Sequence, residues 1–234
     1  MHHVVIERWS RGSSVLHSRD ARIKLLVTLG YLIALATTPG LTLARAALYA
    51  VPIAAGIQLG RLPAGALLAR AAVVLPFSAT FALFSVIAGD TARAVSLVVK
   101  SYLSAAAVLV LVGTTPLPKL LRGMELLGAP RMLTLVVQFL FRYLFVISEH
   151  AQHMRLAALC RGSGGARLRF RAAAGAVAVL FARSFGRAEG IHRAMLARGF
   201  SGETPALPMV IDAVDVLFLI VGLAAALALR VIPL

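Results

Sequence analysis

The stretch AAVVLPFSATFALFSVIA, from Ala71 to Ala88, runs for 18 residues without a charged side chain. A helix that crosses the hydrocarbon core of a bilayer needs about 20 mostly apolar residues, so this stretch is close to the required length. The whole chain has the same character, because 60% of its 234 residues are hydrophobic and only 14% are charged. Soluble domains usually contain about 25% charged residues. We therefore predict an all-α integral membrane protein.

Four further apolar stretches extend this prediction to about five transmembrane helices. The second of the five is the weakest, because Arg45 near its start and Pro52 within it predict a kinked or partly re-entrant segment. Lys100 lies inside the fourth, where its ammonium group is expected to extend to the membrane surface unless it serves a function within the membrane. The predicted spans are Leu25–Thr38, Leu41–Gly60, Ala71–Ala88, Ala94–Thr115 and Val210–Leu229.

The segment between the fourth and fifth spans differs from the spans, because arginines interrupt its apolar pattern. A short amphipathic helix is expected first, followed by two long helical patterns, Arg131–Arg161 and Leu168–Arg198. Polar residues recur along one face of the first pattern, and arginines enclose a short apolar middle in the second, so both helices are expected at the membrane surface or against protein. The chain thus divides into a cytoplasmic N-terminus (1–24), a four-helix transmembrane region (25–115), a cytoplasmic helical region (116–208) and a C-terminal transmembrane helix (209–234).

The positions of the 24 Lys and Arg residues orient these spans. Short cytoplasmic loops of membrane proteins are enriched in Lys and Arg. With a cytoplasmic N-terminus, twenty of these residues fall on the cytoplasmic side and three, Arg45, Arg93 and Arg230, on the opposite side. The basic residues alternate with membrane-length apolar runs and form no nucleic-acid-binding motif, so the net charge of +15 does not predict a nucleic-acid partner.

Two dipeptides, Arg161–Gly162 and Arg198–Gly199, each end one of the long helical patterns. A glycine just past a helix adopts the left-handed conformation easily, and a basic residue in the last turn complements the helix dipole. Helix capping alone therefore explains each dipeptide. A second interpretation is that two helix ends present guanidinium groups to the cytosol, where each forms a bidentate pair with a carboxylate of a soluble partner.

Three stretches of the chain resemble a known family. They are SVLHSRDARIKLL (14–26), LFRYLFVISEHAQHMRLAALCRG (140–162) and SFGRAEGIHRAMLARGFSGE (184–203). Together they resemble the transmembrane T component (EcfT) of energy-coupling factor (ECF) transporters, and most closely the CbiQ-like subgroup of cobalt and nickel uptake. The resemblance extends from about Ser14 to Glu203, and RAEGIHRAMLARGF is its most specific part. Ala21 departs from the family pattern, in which a proline is common at this position.

The resemblance implies that the two long helices are coupling helices beneath the membrane, each ending in an Ala-Arg-Gly-like triplet. The arginine of each triplet would dock into a groove on one of two ATP-binding-cassette (ABC) ATPase subunits. A cysteine replaces the alanine at the first helix end. The family also implies a bacterial cytoplasmic (inner) membrane location and a separate substrate-binding membrane subunit, the S component. The residues that match the triplets are Arg161 and Gly162 at the first end and Ala197, Arg198 and Gly199 at the second.

Such a protein would be a non-catalytic scaffold that transmits the ATP-driven motion of the two ATPases to the S component. The chain contains no G-x-x-x-x-G-K-[ST] motif, so ATP hydrolysis is assigned to the partner subunits and no cofactor is expected. The run GSGG (162–165) is interpreted as a flexible hinge between the coupling helices. The resemblance implies cobalt or nickel as the transported ion, and a T component for a vitamin is the alternative.

The sequence gives less support to a metal site, to a membrane enzyme and to an ion-coupled carrier. Glu149, His150 and His153 can share a helix face, but no second pair of ligands is nearby, so no metal site is predicted. A membrane-embedded lipid-modifying enzyme would need convergent acid and base side chains. Asp212 and Asp215 are the only acidic pair in a predicted span, and as residues at a helix start they suit the helix dipole without catalysis. An ion-coupled carrier is disfavoured because no inverted repeat is found.

Overall fold

The computed structural model describes residues 9–10, 12–38, 40, 42–160, 166–202 and 212–231. All regular secondary structure in these ranges is helical, as the composition predicts. The main helices are α1 (Ala21–Thr37), α2 (Leu43–Leu59), α3 (Ala64–Ala71), α4 (Leu75–Ile87), α5 (Thr91–Thr114), α6 (Leu117–Leu126), α7 (Arg131–Cys160), α8 (Ala166–Ala197) and α9 (Ala213–Val231). They form two compact units, of which the first contains α1–α6 and α9 and the second contains α7 and α8.

Helix α1 is capped at its start by the side chain of Asp20. The Asp20 carboxylate accepts a hydrogen bond from the Arg22 backbone N–H at 2.8 Å, a donor that the helix start leaves without an intrahelical partner. The Arg22 guanidinium donates to the same carboxylate at 2.8 Å. Burial by itself raises the pKa of the Asp20 carboxyl, but the hydrogen bonds and charge of Arg22 outweigh burial and hold that pKa below its usual value. The charged residues at this helix start therefore satisfy one another.

A hydrogen-bonded pair of tyrosines lies in the core of the first unit. Tyr49 of α2 is fully buried, and its hydroxyl forms a 2.7 Å hydrogen bond with the Thr38 hydroxyl just after α1. Tyr31 of α1 donates its hydroxyl proton to the Tyr49 carbonyl at 2.9 Å, and the two rings meet edge to face. Because a polar group without a partner is costly in a bilayer, these bonds fix α1 against α2.

Two lysines connect α1 and α5 at opposite ends. Lys24, in the first turn of α1, donates from Nζ to the Thr114 carbonyl (3.1 Å) and the Thr115 hydroxyl (3.0 Å), where α5 ends. Lys100 of α5 donates to the Thr38 carbonyl at 2.6 Å, where α1 ends. The last carbonyls of a helix lack intrahelical partners and carry partial negative charge, so each ammonium stabilises the end of the other helix. Lys100 therefore has a structural role at the end of α1, and its extension to the membrane surface stays a prediction.

Three segments that the Lys and Arg distribution assigns to the cytoplasm meet at one end of the first unit. The start of α1 contacts the end of α5 through Lys24. Arg19, just before α1, lies 3.4 Å from the Asp215 carboxylate in the first turn of α9. Arg70 of α3 lies over the ring of Trp9, which neighbours the last turn of α5. This arrangement fits the predicted alternation of the spans, because it puts these ends on the same side.

Two predicted spans differ in detail from the helices observed. The span predicted to begin at Ala71 begins at Ala64 and includes a 3₁₀ turn at Ala72–Val74. Pro76 lies two residues after this turn and has no N–H to donate to a preceding carbonyl, which accounts for the irregularity. The second span is one continuous helix with Pro52 inside it, so no re-entrant turn interrupts it.

Four described segments are long and apolar enough to cross a membrane. Three of them match the third, fourth and fifth predicted spans. The other is α7, whose predicted place is on the cytoplasmic side, so that placement stays a prediction. Helices α1 and α2, the first two predicted spans, have 17 residues each, which is the lower limit for crossing a bilayer. The four segments are Ala64–Ile87, Thr91–Thr114, Arg131–Cys160 and Ala213–Arg230.

Close packing of α1 against α9 depends on one glycine in each helix. A Cβ atom on Gly30 would lie 2.7 Å from Leu223 Cδ2, and a Cβ atom on Gly222 would lie 2.7 Å from Val27 Cγ1. Small residues at such positions let transmembrane helices approach closely. The Leu223 side chain can move to another rotamer, whereas β-branched Val27 is stiff at χ1. The contact at Gly222 is therefore the less tolerant of the two.

We expect Gly222→Ala to lower the thermal unfolding temperature of the detergent-solubilised chain, because the added methyl group overpacks against Val27 at a cost of about 1–3 kcal/mol. Gly30→Ala should cost less. Gly65→Ala is the control, since nothing lies within 4 Å of the added Cβ there, and it should leave stability unchanged or slightly raised. Circular dichroism during heating measures all three, and equal unfolding temperatures for Gly222→Ala and the control would contradict the close contact.

A second prediction concerns Lys24. Lys24→Met keeps the length of the side chain but leaves the Thr114 carbonyl and the Thr115 hydroxyl without their shared donor, so we expect a loss of about 1–3 kcal/mol in the free energy of unfolding. The matched control is Lys119→Met on α6, where the lysine is exposed and the change should stay within about 0.5 kcal/mol. Thermal unfolding in detergent compares the two variants, and similar values for both would show that the Lys24 bonds add nothing.

Candidate functional site

Helices α7 and α8 contact each other and line a common groove. They contain 30 and 32 residues, which at 1.5 Å per residue corresponds to lengths of about 45 and 48 Å. The groove between them has a volume of about 1330 Å³ and is lined mostly by apolar side chains. Leu140 and Ile147 of α7 and Leu180, Ile191 and Met195 of α8 are among these side chains. The pair is an elongated element whose two helices share one apolar surface.

A polar contact between described residues crosses this groove. Arg187 Nη2 lies 3.3 Å from His150 Nε2. A metal ion beside His150 would be close to the positive charge of the guanidinium, which disfavours metal binding by His150 and its neighbours Glu149 and His153. In the described ranges, no group of three or more His, Cys, Asp and Glu side chains is placed to hold a metal ion. The Arg187–His150 contact is therefore interpreted as packing between α7 and α8.

Helix α8 ends in a Schellman motif. Gly199 has a φ of +78°, the left-handed region that favours glycine. Its N–H donates to the Leu196 carbonyl at 3.0 Å, and the Phe200 N–H donates to the Met195 carbonyl at 3.0 Å. These two bonds define the motif and satisfy carbonyls that the helix end leaves without partners. The helix cap predicted from the Arg-Gly dipeptide is confirmed at this end.

The cap leaves Arg198 exposed at the end of α8, between Ala197 and Gly199, which are also exposed. Within the described part of the chain, no side chain forms an ion pair or a hydrogen bond with the Arg198 guanidinium. Arg193, on the preceding turn, instead lies 3.4 Å from the Glu189 carboxylate. A guanidinium carries five N–H donors in a planar fork that matches a carboxylate. Arg198 is therefore placed to form a bidentate contact with another molecule.

The corresponding end of α7 lies partly beyond the described structure. Arg161 and Gly162 are outside the described residues, as is the run GSGG at 162–165 that we interpret as a hinge. The last described residue of α7 is Cys160, and its side chain is exposed. The helix therefore continues to the residue directly before the predicted arginine, and the predicted role of Arg161 rests on the sequence pattern.

Phe200 is a residue of this site that the sequence analysis did not identify. Its side chain is half-buried and lines the groove together with Met195 and Leu196 from the last turns of α8. In a Schellman motif, the residue after the capping glycine often packs back onto the end of the helix when it is hydrophobic. A glycine followed by phenylalanine after the predicted helix could therefore have indicated this contact from the sequence alone. Phe200 directs the chain back onto the helix pair, while Arg198 remains exposed.

Asp212 and Asp215, the acidic pair that we considered for catalysis, lie in the first unit. The Asp215 carboxylate already has partners within the chain. Asp215 is 4% exposed, and its carboxylate lies 3.4 Å from Arg19 Nη1. The other carboxylate oxygen accepts a hydrogen bond from the Asp212 N–H at 3.3 Å, where α9 begins. Negative charge also suits the start of a helix. These contacts support a structural role at the helix start over a role in a lipid-modifying enzyme.

Comparison with known families adds an independent observation. A protein-family model described as "CbiQ: Cobalt transport protein" matches residues 12–209 of the chain. Among curated proteins, no sequence matches the chain significantly. The matched range covers more than four fifths of the chain. It includes both Arg-Gly helix ends and stops shortly before α9.

We expect Gly199→Ala to weaken the end of α8 by about 1 kcal/mol, because an alanine is strained in the left-handed conformation. The same substitution at Gly175, in the middle of α8 with nothing within 4 Å of the added Cβ, should instead stabilise the helix by about 0.5–1 kcal/mol. Amide hydrogen exchange of the last turn, Met195–Phe200, reports the first effect. If the last turn of Gly199→Ala exchanges as slowly as that of the wild type and of Gly175→Ala, the cap does not stabilise the end of α8.

Proposed function

This chain belongs to the CbiQ family of cobalt transport proteins, and we propose that it is the transmembrane coupling subunit of an ECF-type ABC importer. Two ABC-type ATPases would bind its helix ends, and a separate S component would bind the cobalt ion. The chain itself would be a non-catalytic subunit, since ATP hydrolysis would take place in the ATPases. Cobalt is proposed as the substrate from the family, with nickel as the other ion of the subgroup.

The exposed Arg198 carries this proposal. It lies at the end of a helix of about 48 Å, its backbone is held by the Schellman motif, and its guanidinium has no partner within the described ranges. A soluble ATPase with a carboxylate in a groove would complete its hydrogen bonds. The sequence pattern supports the same role for Arg161, so that each arginine would contact one of the two ATPases.

The helix pair would then transmit motion between the ATPases and the S component. When ATP binding brings the two ATPases together, each would displace the helix end that it holds. Because α7 and α8 contact each other and share an apolar groove, a displacement at one end would be carried to the other helix. The first unit contains three of the four described segments that are long and apolar enough to cross a membrane, and it would anchor the chain there.

We also propose that the N-terminus lies in the cytoplasm of the bacterial cell, so that the protein is oriented in the inner membrane with the ATPases on the same side. Two observations support this orientation. With this orientation, twenty of the 24 Lys and Arg residues would lie on the cytoplasmic side, as the positive-inside rule expects. The structure also gathers the start of α1, the end of α5 and the start of α9 at one end of the first unit.

The experiment combines Arg161→Ala and Arg198→Ala in the complete transporter. We expect cobalt uptake to be abolished and both ATPases to be lost from the purified complex, while the chain remains in the membrane. Loss of one buried charge pair costs about 2–5 kcal/mol of binding, which is at least tenfold in affinity. Arg198→Lys should also impair coupling, because an ammonium group cannot form the bidentate contact.

The matched control is Arg193→Ala, which removes an exposed arginine from the same helix, one that pairs within the chain to Glu189. It should leave uptake and ATPase binding unchanged. Normal uptake by the double variant would mean that the two arginines act only as helix caps. A double variant that loses uptake but retains both ATPases would place the defect in transmission rather than docking and would refute the proposed contact.

A further inference from the structure

An apolar crevice opens between α2 and α9 in the first unit. Its volume is about 280 Å³, and α1 and α5 form its floor. Leu59 of α2 and Val221 of α9 both line it and are 53% and 58% exposed. Helices α2 and α9 pack mainly on α5 and α1 respectively and contact each other little. The crevice is therefore open toward the surface of the helix bundle.

The crevice follows α9 for most of the length of this helix. The lining residues on α9 extend from Phe218 to Leu229, a distance of about 17 Å at 1.5 Å per residue. This is more than half of the roughly 30 Å thickness of the hydrocarbon core. On the opposite wall, the lining residues of α2 run from Pro52 to Leu59. The space is thus elongated along the helices, as a hydrocarbon chain is.

Few polar groups are available inside the crevice. Of the four polar side chains that line it, Lys24, Tyr31 and Thr114 bind protein partners with their polar atoms. Thr28 is the fourth, and it lies one turn after Lys24. An apolar cavity excludes water, and an engineered cavity of about 150 Å³ stays dry and binds benzene. A crevice of this size and lining accordingly requires an apolar occupant.

Positive charge is in excess near Lys24, at one end of this crevice. The charged side chains around Lys24 include more cations than carboxylates, and they are close enough to one another to interact electrostatically. Such an excess complements a phosphate group at the membrane surface. The cations are Arg19, Arg22, Lys24 and Lys119, and the carboxylates are Asp20 and Asp215.

We propose that this crevice binds one acyl chain of an anionic phospholipid, with the lipid phosphate beside the Lys24 end. The acyl chain fills the space that α2 and α9 leave between them, and the phosphate balances the excess of cations. The lipid therefore completes the packing of the first unit and is retained more firmly than the lipids around it. This site is independent of the coupling role of α7 and α8.

The experiment measures lipid retention by the full-length chain in mild detergent by native mass spectrometry. The delipidated chain is titrated with phosphatidylglycerol and, separately, with zwitterionic phosphatidylcholine of the same acyl chains. Ala225→Phe and Ala55→Phe each fill the crevice from one wall. Their controls are Ala224→Phe and Ala54→Phe, because these neighbouring alanines are exposed and do not line the crevice.

We expect the wild type and both controls to retain one phosphatidylglycerol that the two filled variants bind about tenfold more weakly, since a filled pocket cannot accept the ligand. Retention of phosphatidylcholine should be weaker than that of phosphatidylglycerol in the wild type. Equal retention by filled and control variants overturns the proposal, as does equal retention of the two lipids. If Ala55→Phe and Ala225→Phe bind phosphatidylglycerol like the wild type but lose the S component, the crevice belongs to that protein, and the proposal is overturned.

Discussion

The first unit depends on how the ends of α1 and α5 are satisfied where they are buried against protein. A helix end leaves carbonyl groups without intrahelical partners, and Thr38, Thr114 and Thr115 at these two ends are all buried. Lys24 of α1 binds the end of α5, and Lys100 of α5 binds the end of α1. Sliding one helix along the other would displace both ammonium groups from their partner carbonyls. The two contacts therefore stabilise the packing of α1 against α5, and the other helices pack around them.

The second unit has the opposite character. Its two long helices share an apolar groove, and their polar groups are mostly directed outward. The Schellman motif at Gly199 places an apolar side chain in the groove and a cation outside it within three residues. The exposed cation at the end of the long helix α8 is the feature of this unit on which the proposed contact with a partner rests.

The sequence was sufficient for properties that depend on local composition. The uncharged run at 71–88 predicted a membrane helix, and the Arg-Gly dipeptide predicted the cap at Gly199. The start of the membrane helix at Ala64 was missed, because the predicted span contained only the uncharged residues after Arg70. In the structure, the Arg70 guanidinium lies over the Trp9 ring. The contact between Lys100 and Thr38 was not predicted, since the two residues are 62 positions apart in the chain. Such distant contacts leave no periodic signal in a single sequence.

The Schellman motif has a consequence for the energetics of docking at Arg198. Two backbone hydrogen bonds hold the chain on either side of this residue before any partner arrives. Ordering a flexible segment on binding costs conformational entropy, which reduces affinity. Here the backbone is preorganised, so association would restrict only the arginine side chain. An arginine on an unstructured loop would offer a partner the same guanidinium but would bind more weakly, because its backbone would have to be ordered in the complex.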